Sequence, residues 1–255
     1  MLLLLSPAKR LDLSDAPSLP PTRPRFAAEA GRLAAVLRGR TAGELKSLMG
    51  LSDDLAALNR ERFQAFGSGE ARPAVLSFAG DVYRGLDARS LDGDALARAQ
   101  DRLRILSGLY GVLRPLDAIE PYRLEMGTTL AAEGARDLYA YWGDRIARSL
   151  DADLSDHADR TIVNLASNEY AKAALPHLSA PVVTPVFREE KDGQSRTLAL
   201  FAKVARGAMA RWVIENDVDR ADDLRGFDAE GYAFRADASD EDRLVFTRPQ
   251  PPKKR

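Results

Sequence analysis

No cysteine occurs in the 255 residues, and histidine occurs twice, at His157 and His177. The first absence excludes disulfides, thiolate metal sites, iron–sulfur clusters and thiol catalysis. The second excludes a histidine-rich metal centre, and no Glu-x-x-His spacing exists for a ferritin-type di-iron site. Neither sign of charge is in excess, with 37 Lys and Arg against 38 Asp and Glu and a formal net charge of -1. Such a chain is no basic nucleic-acid coat, so any DNA contact must come from local patches. No apolar run approaches the roughly 18 residues of a membrane span. Met1-Leu2-Leu3-Leu4-Leu5 lacks the basic start and cleavage site of a secretory signal. It is expected to be a buried first strand of a cytoplasmic protein. The Gly-Lys-Ser/Thr phosphate loop and the dinucleotide Gly-x-Gly-x-x-Gly are missing as well.

What is present suits a globular enzyme or binding domain. The chain is 45% hydrophobic, and its 18 Gly and 14 Pro mark no composition break or internal repeat. That predicts one core: a single compact mixed α/β domain of the α+β class over residues 1–248. A basic tail, 249–255, is expected to be disordered.

In chain order, Leu2 to Leu5 reads as a strand stopped by Ser6-Pro7, placing Lys9 and Arg10 at a strand's carboxyl end, where α/β proteins often bind ligands. Proline-rich Ser14 to Pro24 reads as a connector, and Phe26 to Leu37 as a helix. Thr41-Ala42-Gly43-Glu44 has capping-box spacing and opens a short helix to Met49. Gly50-Leu51-Ser52 then leads into a second helix that Ser52 or Asp53 caps, running to Phe66. Helix, tight turn, helix over about 43–66 has the form of a helix-hairpin-helix, whose backbone N–H groups can hold a phosphate. Lys46 supplies nearby charge.

Ala74 to Phe78 is expected as a strand delivering Asp81 between Gly80 and Gly85, where it could act as a general base or Mg²⁺ ligand. Asp94 to Leu106 reads as a helix feeding Leu106 to Asp117, a segment broken by Gly108 and Gly111 and closed by Arg114-Pro115. Its glycines and prolines suit a rigid loop presenting Ser107, Tyr110 and Arg114. Pro121 to Gly127 follows with Arg123 and Glu125. Arg160 to Leu165 reads as a strand running into a polar loop with Glu169. Asp192-Gly193 signals a hairpin joining Val182–Phe187 to Thr197–Phe201. The helix from Ala202 to about Glu215 carries Lys203, Arg206 and Arg211 among small residues, a slender cationic edge suited to anions.

Seven of these segments together resemble one family. They are Ser6 to Lys9, Phe78 to Leu86, Leu106 to Asp117, Pro121 to Gly127, Asn164 to Tyr170, Phe201 to Gly207, and Gly226-Phe227 through Gly231-Tyr232. In order, from Met1 to about Phe246, they are similar to the bacterial YaaA family; Arg10 stands where that family usually has Thr. The resemblance implies a cytoplasmic protein that resists hydrogen peroxide by limiting free intracellular iron and the DNA damage it causes. It implies a domain containing a helix-hairpin-helix at Leu48 to Ser52 and a positively charged cleft for double-stranded or structurally distorted DNA. It brings no established reaction, and no cofactor is expected. The expected DNA or anion contacts are Lys9, Lys46, Gly50, Leu51, Ser52, Arg114, Arg123, Lys203 and Arg206. An enzyme acting on a nucleotide or damaged nucleic acid is the alternative, with Asp81, Glu125 and Glu169 as acid–base or Mg²⁺ groups and Ser107 and Tyr110 as polar contacts. The sequence leaves the oligomeric state open.

Overall fold

Four consecutive leucines can bury every side chain only where both faces of a sheet are covered. Leu2–Leu5 (β1) do so at the centre of the main sheet, all with no exposed surface. They pair in parallel with Leu103–Ser107 on one side and Ile162–Asn164 on the other. A computed structural model describes residues 1–14 and 20–252. The expected connector at Ser14 to Pro24 and the last three residues of the expected tail lie partly or wholly outside these.

After β1 come the short strand Arg10–Leu11 (β2) and three helices, Ala27–Arg38 (α1), Ala42–Met49 (α2) and Asp53–Ala65 (α3). Thr41 and Glu44 form the capping box at α2: each satisfies a backbone N–H of the other. Gly50 takes the left-handed conformation, φ 61°, that ends α2, and the Ser52 hydroxyl accepts from Leu55 N to start α3. Arg72–Pro73 (β3), Ala74–Ser77 (α4), Phe78–Ala79 (β4), Asp81–Leu86 (α5) and Gly93–Arg102 (α6) follow. The strand expected at Ala74 to Phe78 is thus mainly a buried helical turn. Its first amides bond the carbonyls of Asp117 and Pro115, and the Ser77 hydroxyl bonds back to Pro73 O, so no strand partner is needed.

The helix expected over Asp94 to Leu106 stops at Arg102, because Leu103–Ser107 (β5) is drawn into the sheet beside β1. Gly111–Leu113 (β6) folds back antiparallel on β5, so the expected rigid loop is a tight β-hairpin. Ala118–Ile119 (β7), Leu138–Trp142 (α7), Arg145–Leu154 (α8), Ile162–Asn164 (β8) and Asn168–Ala171 (α9) lead to the long strand Val182–Lys191 (β9). Its hairpin partner is Gln194–Arg196 (β10), not Thr197–Phe201, and Ala199–Glu215 (α10) begins three residues later. Ala233–Phe234 (β11) and Arg243–Pro249 (β12) finish the chain. Pro249 is paired in β12 and Gln250 N donates to Glu190 O, so order continues past the expected start of the tail.

The sheet order is β11-β12-β9-β8-β1-β5-β6, with β10 also on β9. From β12 to β5 every neighbouring pair is parallel; β6, β10 and β11 are antiparallel. A mixed α/β domain with a mostly parallel sheet therefore replaces the α+β class. Parallel strands require crossovers, and helices on both faces supply them.

One crossover packs unusually closely. A Cβ placed on Gly207 of α10 would intrude on the Val82 carbonyl and lie 2.7 Å from Leu86 N, both of α5. A Cβ on Gly85 would likewise meet Val204 and, at 2.9 Å, Ala208 N. The two backbones touch with no side chain between them. Arg211 locks the crossing, donating to Leu86 O, Asp87 O and the Ser90 hydroxyl.

Candidate functional site

The parallel strands β1, β5 and β8 end side by side, and the loops leaving them meet. Ser6 Oγ, just past β1, accepts from Ser167 N at 2.8 Å just past β8, and Tyr83 of α5 donates to Ser6 O at 2.9 Å. Lys9 reaches Glu125, Nζ to Oε2 2.6 Å, and the other carboxylate oxygen takes Arg123 at 3.2 Å. Lys9 is largely exposed, whereas Glu125 and Arg123 are sheltered (side chains 22% and 17% accessible). The strap carrying them is held from below: Gly108 accepts no side chain against the Leu124 carbonyl, and Gly127 N donates to Glu169 at 2.9 Å.

Buried phenols support this strap. The Ser107 hydroxyl, with no exposed surface, bonds the Tyr122 hydroxyl at 2.6 Å and accepts from Tyr110 N. Tyr110 in turn accepts from Glu120 N. Both are thereby committed to the core, which removes them from the surface chemistry proposed for them on sequence. Burial pushes the Tyr83, Tyr122 and Tyr170 hydroxyls well up, and at Tyr170 the nearby Tyr122, Glu169 and Glu125 add to the rise. These phenols stay protonated at any ordinary pH. Tyr83, Tyr122 and Tyr170 went unassigned on sequence, although Pro121-Tyr122-Arg123 and Asn168-Glu169-Tyr170 already placed the last two beside charged residues.

Helix α10 runs toward the same strand ends. Leu198 N donates to Glu189 Oε2, fixing the start of α10 level with Glu189 on β9. Glu189 lies four residues beyond Pro185, about 13 Å past the ends of β1 and β8. Arg206 sits eight residues along from Leu198, about 12 Å back again. The helix runs back over the sheet, since Arg98 and Arg102 of α6 bond the Ile214 and Val218 carbonyls at its far end. Arg206 therefore returns to the level of the strand ends. Ala202 and Ala210, one turn to either side on the same face, are buried. Gly80, at the start of α5, lies against Ala8, and Val82 beneath Gly207, which brings Asp81 and the Lys9 loop beside the Lys203–Arg206 turn.

Arg206 is half-buried, and burial lowers its guanidinium pKa, yet it makes no hydrogen bond, ion pair or ring contact with any described residue. Lys203, exposed, has none either. Asp81 is held by Arg84 of its own helix at 3.3 Å. Lys9, Arg123, Glu125 and Glu169 are thus joined through one strap, and Asp81, Lys203 and Arg206 lie on the two closely packed helices whose start meets the Lys9 loop.

Two predicted groups stand apart. Arg114 pairs with the buried Asp117 (3.1 Å) and donates to Arg23 O, fastening the turn after β6 away from the strand ends. The α2–α3 turn lies at the N-terminal end of α3, about 20 Å from its other end, where Phe66 packs on Tyr110. Within it, Gly50 and Leu51 amides bond Lys46 O, the Ser52 hydroxyl is used in capping, and Lys46 is paired with Asp53 at 2.8 Å. Among the described residues no three His, Asp or Glu side chains cluster as a metal would require, and no helix is long and apolar enough to cross a membrane.

The profile of the family described as peroxide stress protein YaaA matches residues 1–238. The chain belongs to that family. A UPF0246 protein of Caulobacter vibrioides is 54% identical over 98% of this chain and its own full length. One of Phenylobacterium zucineum is 52% identical over 99% of this chain and 96% of its own, and one of Idiomarina loihiensis 50% over 97% and 98%. The YaaA family match reaches past β11, so Lys9, Asp81, Arg123, Glu125, Glu169, Lys203 and Arg206 lie inside it.

Proposed function

We propose that this YaaA-family protein binds DNA in the peroxide stress response, through phosphate contacts in the strand-end cleft, and so protects DNA where free iron would damage it. Restraint of intracellular free iron is part of the same reading and draws its support from the family. The carrying observation is Arg206: an unpaired, partly desolvated guanidinium is costly to keep, and an anion from outside would offset that cost. Lys203, Lys9 and Arg123 add positive charge around it. Double-stranded or structurally distorted DNA fits because phosphate contacts carry no sequence requirement. The α2–α3 turn serves as a second, weaker contact, since its Gly50 and Leu51 amides already bond Lys46 O and Asp53 and Asp54 stand beside it.

A gel-shift titration against salt tests this. Affinity is expected to fall steeply from low to physiological salt, and Lys203→Ala with Arg206→Ala to reduce the log–log slope by about 2. Affinity flat over that range would overturn the reading.

A catalytic reading has one observation in its favour. The Lys9–Glu125 contact joins an exposed amine to a sheltered carboxylate, a pair able to pass a proton to a bound substrate. Product from a damaged or mismatched duplex with Mg²⁺, lost in Glu125→Gln, is its expected signature; an unchanged duplex would rule it out.

A further inference from the structure

Two arginines among the described residues are half-buried, lowered in pKa by burial alone, and without a partner: Arg62 and Arg206. Arg62 stands in a surface depression where Glu70 is paired with Arg72 and Glu120 is held by the Gly67 and Gly69 amides, and no second unpaired cation lines it. Around Arg206 the acids are already engaged: Glu125 by Lys9 and Arg123, Glu169 by the Gly127 amide, Asp81 by Arg84. Arg206 keeps its full set of donors for a ligand among the described residues.

We propose that Arg206 is the seat of a phosphate monoester, the terminal phosphate of a DNA end or of a free nucleotide. This deepens the phosphate-binding cleft proposed above and depends on it. Arg206 is set between Ala202 and Ala210 on the inward face of α10, while Lys203 stands exposed at the rim. An internal phosphodiester lies on the convex outside of a duplex and meets the rim; a terminal phosphate projects and can reach the recessed guanidinium. It also carries about −1.5 to −2 charge at pH 7, and the guanidinium fork matches two of its oxygens at once. Partial desolvation strengthens that attraction over the same contact made in water.

The experiment compares duplexes that differ only in a 5′-phosphate or 5′-hydroxyl at a recessed end, by fluorescence anisotropy at fixed salt. Calorimetry with adenosine monophosphate and adenosine runs in parallel. The wild-type protein is expected to favour the phosphorylated end by about tenfold, the size of a typical charge-assisted contact. Arg206→Met should erase the preference, weakening binding of the phosphorylated end about tenfold more than that of the hydroxyl end, and Arg206→Lys should lose most of it. Removing an unpaired half-buried charge should leave the melting temperature equal or higher, so loss of folding does not confound the result.

Equal binding of both ends by the wild type, with no discrimination between the two nucleosides, would overturn the proposal and leave salt-dependent DNA binding standing. Arg206→Met weakening both ends equally would also overturn it, making Arg206 an ordinary backbone contact. Binding of the monophosphate without any duplex would uphold the monoester site with free nucleotide as its source, and would remove the DNA reading instead.

Discussion

Gly207→Ala is expected to destabilise the protein by about 3–5 kcal/mol, at the upper end for a single added methyl. The new Cβ would collide with the Val82 carbonyl and crowd Leu86 N, and both are backbone atoms that no rotamer change can move aside. Helices α5 and α10 would have to separate, which also strains the Arg211 bonds across the crossing. For a chain of this size the melting temperature should fall by roughly 10 °C. Gly85→Ala should behave alike, and the double variant should cost less than the sum, since one separation relieves both. Gly31→Ala is the control: nothing lies within 4 Å of its Cβ position in α1, so exchange should be neutral or stabilising by up to about 1 kcal/mol. A loss below 1 kcal/mol for Gly207→Ala would show that the crossing is more compliant than its geometry implies.

The second large effect is expected at Glu189, whose side chain is wholly buried. One carboxylate oxygen accepts from the Tyr232 hydroxyl and faces Arg248 Nε at 3.6 Å; the other caps α10 through Leu198 N. Arg248, itself 8% accessible, lies over the Tyr232 and Phe201 rings and bonds Glu230 O. Glu189→Ala would leave that guanidinium with Glu230 as its remaining charged partner, beside the aromatic cluster of Phe187, Phe227, Tyr232 and Phe246. Losing one partner of a buried ion pair costs about 3–5 kcal/mol, measurable by urea denaturation. Glu189→Gln keeps the shape and one accepting oxygen but loses the charge and the second acceptor, and should recover part of the loss. Because Glu189 fixes where α10 begins, Glu189→Gln should also weaken any phosphate contact at Arg206 more than one at Lys9. Uniform weakening would separate the anchor from the cleft.

Local chemistry made the ends of α2 and α3 readable from sequence, because caps use neighbours three residues apart. The four leucines of β1 were equally legible. What failed lies between Asp94 and Ser107, and at Ala74 to Ser77, where the state is chosen by partners far away in the chain. Leu103 to Ser107 continues a helical pattern, yet pairing with β1 overrides it. The site divides in the same way. Lys9, Glu125 and Arg123 stood out as charges beside prolines and glycines. Arg114 looked equivalent, although Asp117 three residues on was already its natural partner. Nothing in the sequence could show that Arg206 lacks a partner among the described residues, because that is a fact about many neighbours at once. Ser107 and Tyr110 misled for the reverse reason: their polar groups are consumed by Tyr122 and Glu120 across a hairpin that no short motif announces.

The central position of β1 has a consequence for synthesis. Leu3 pairs with Leu103 on one side and Val163 on the other, so β1 is flanked by strands made much later. At about 5–20 residues per second, the four leucines wait on the order of 10 s before both edges are covered. Through that interval the growing chain carries an apolar strand with open edges. Closure then comes from the opposite end, when β12 seats beside β9 and brings Phe246 against Phe187.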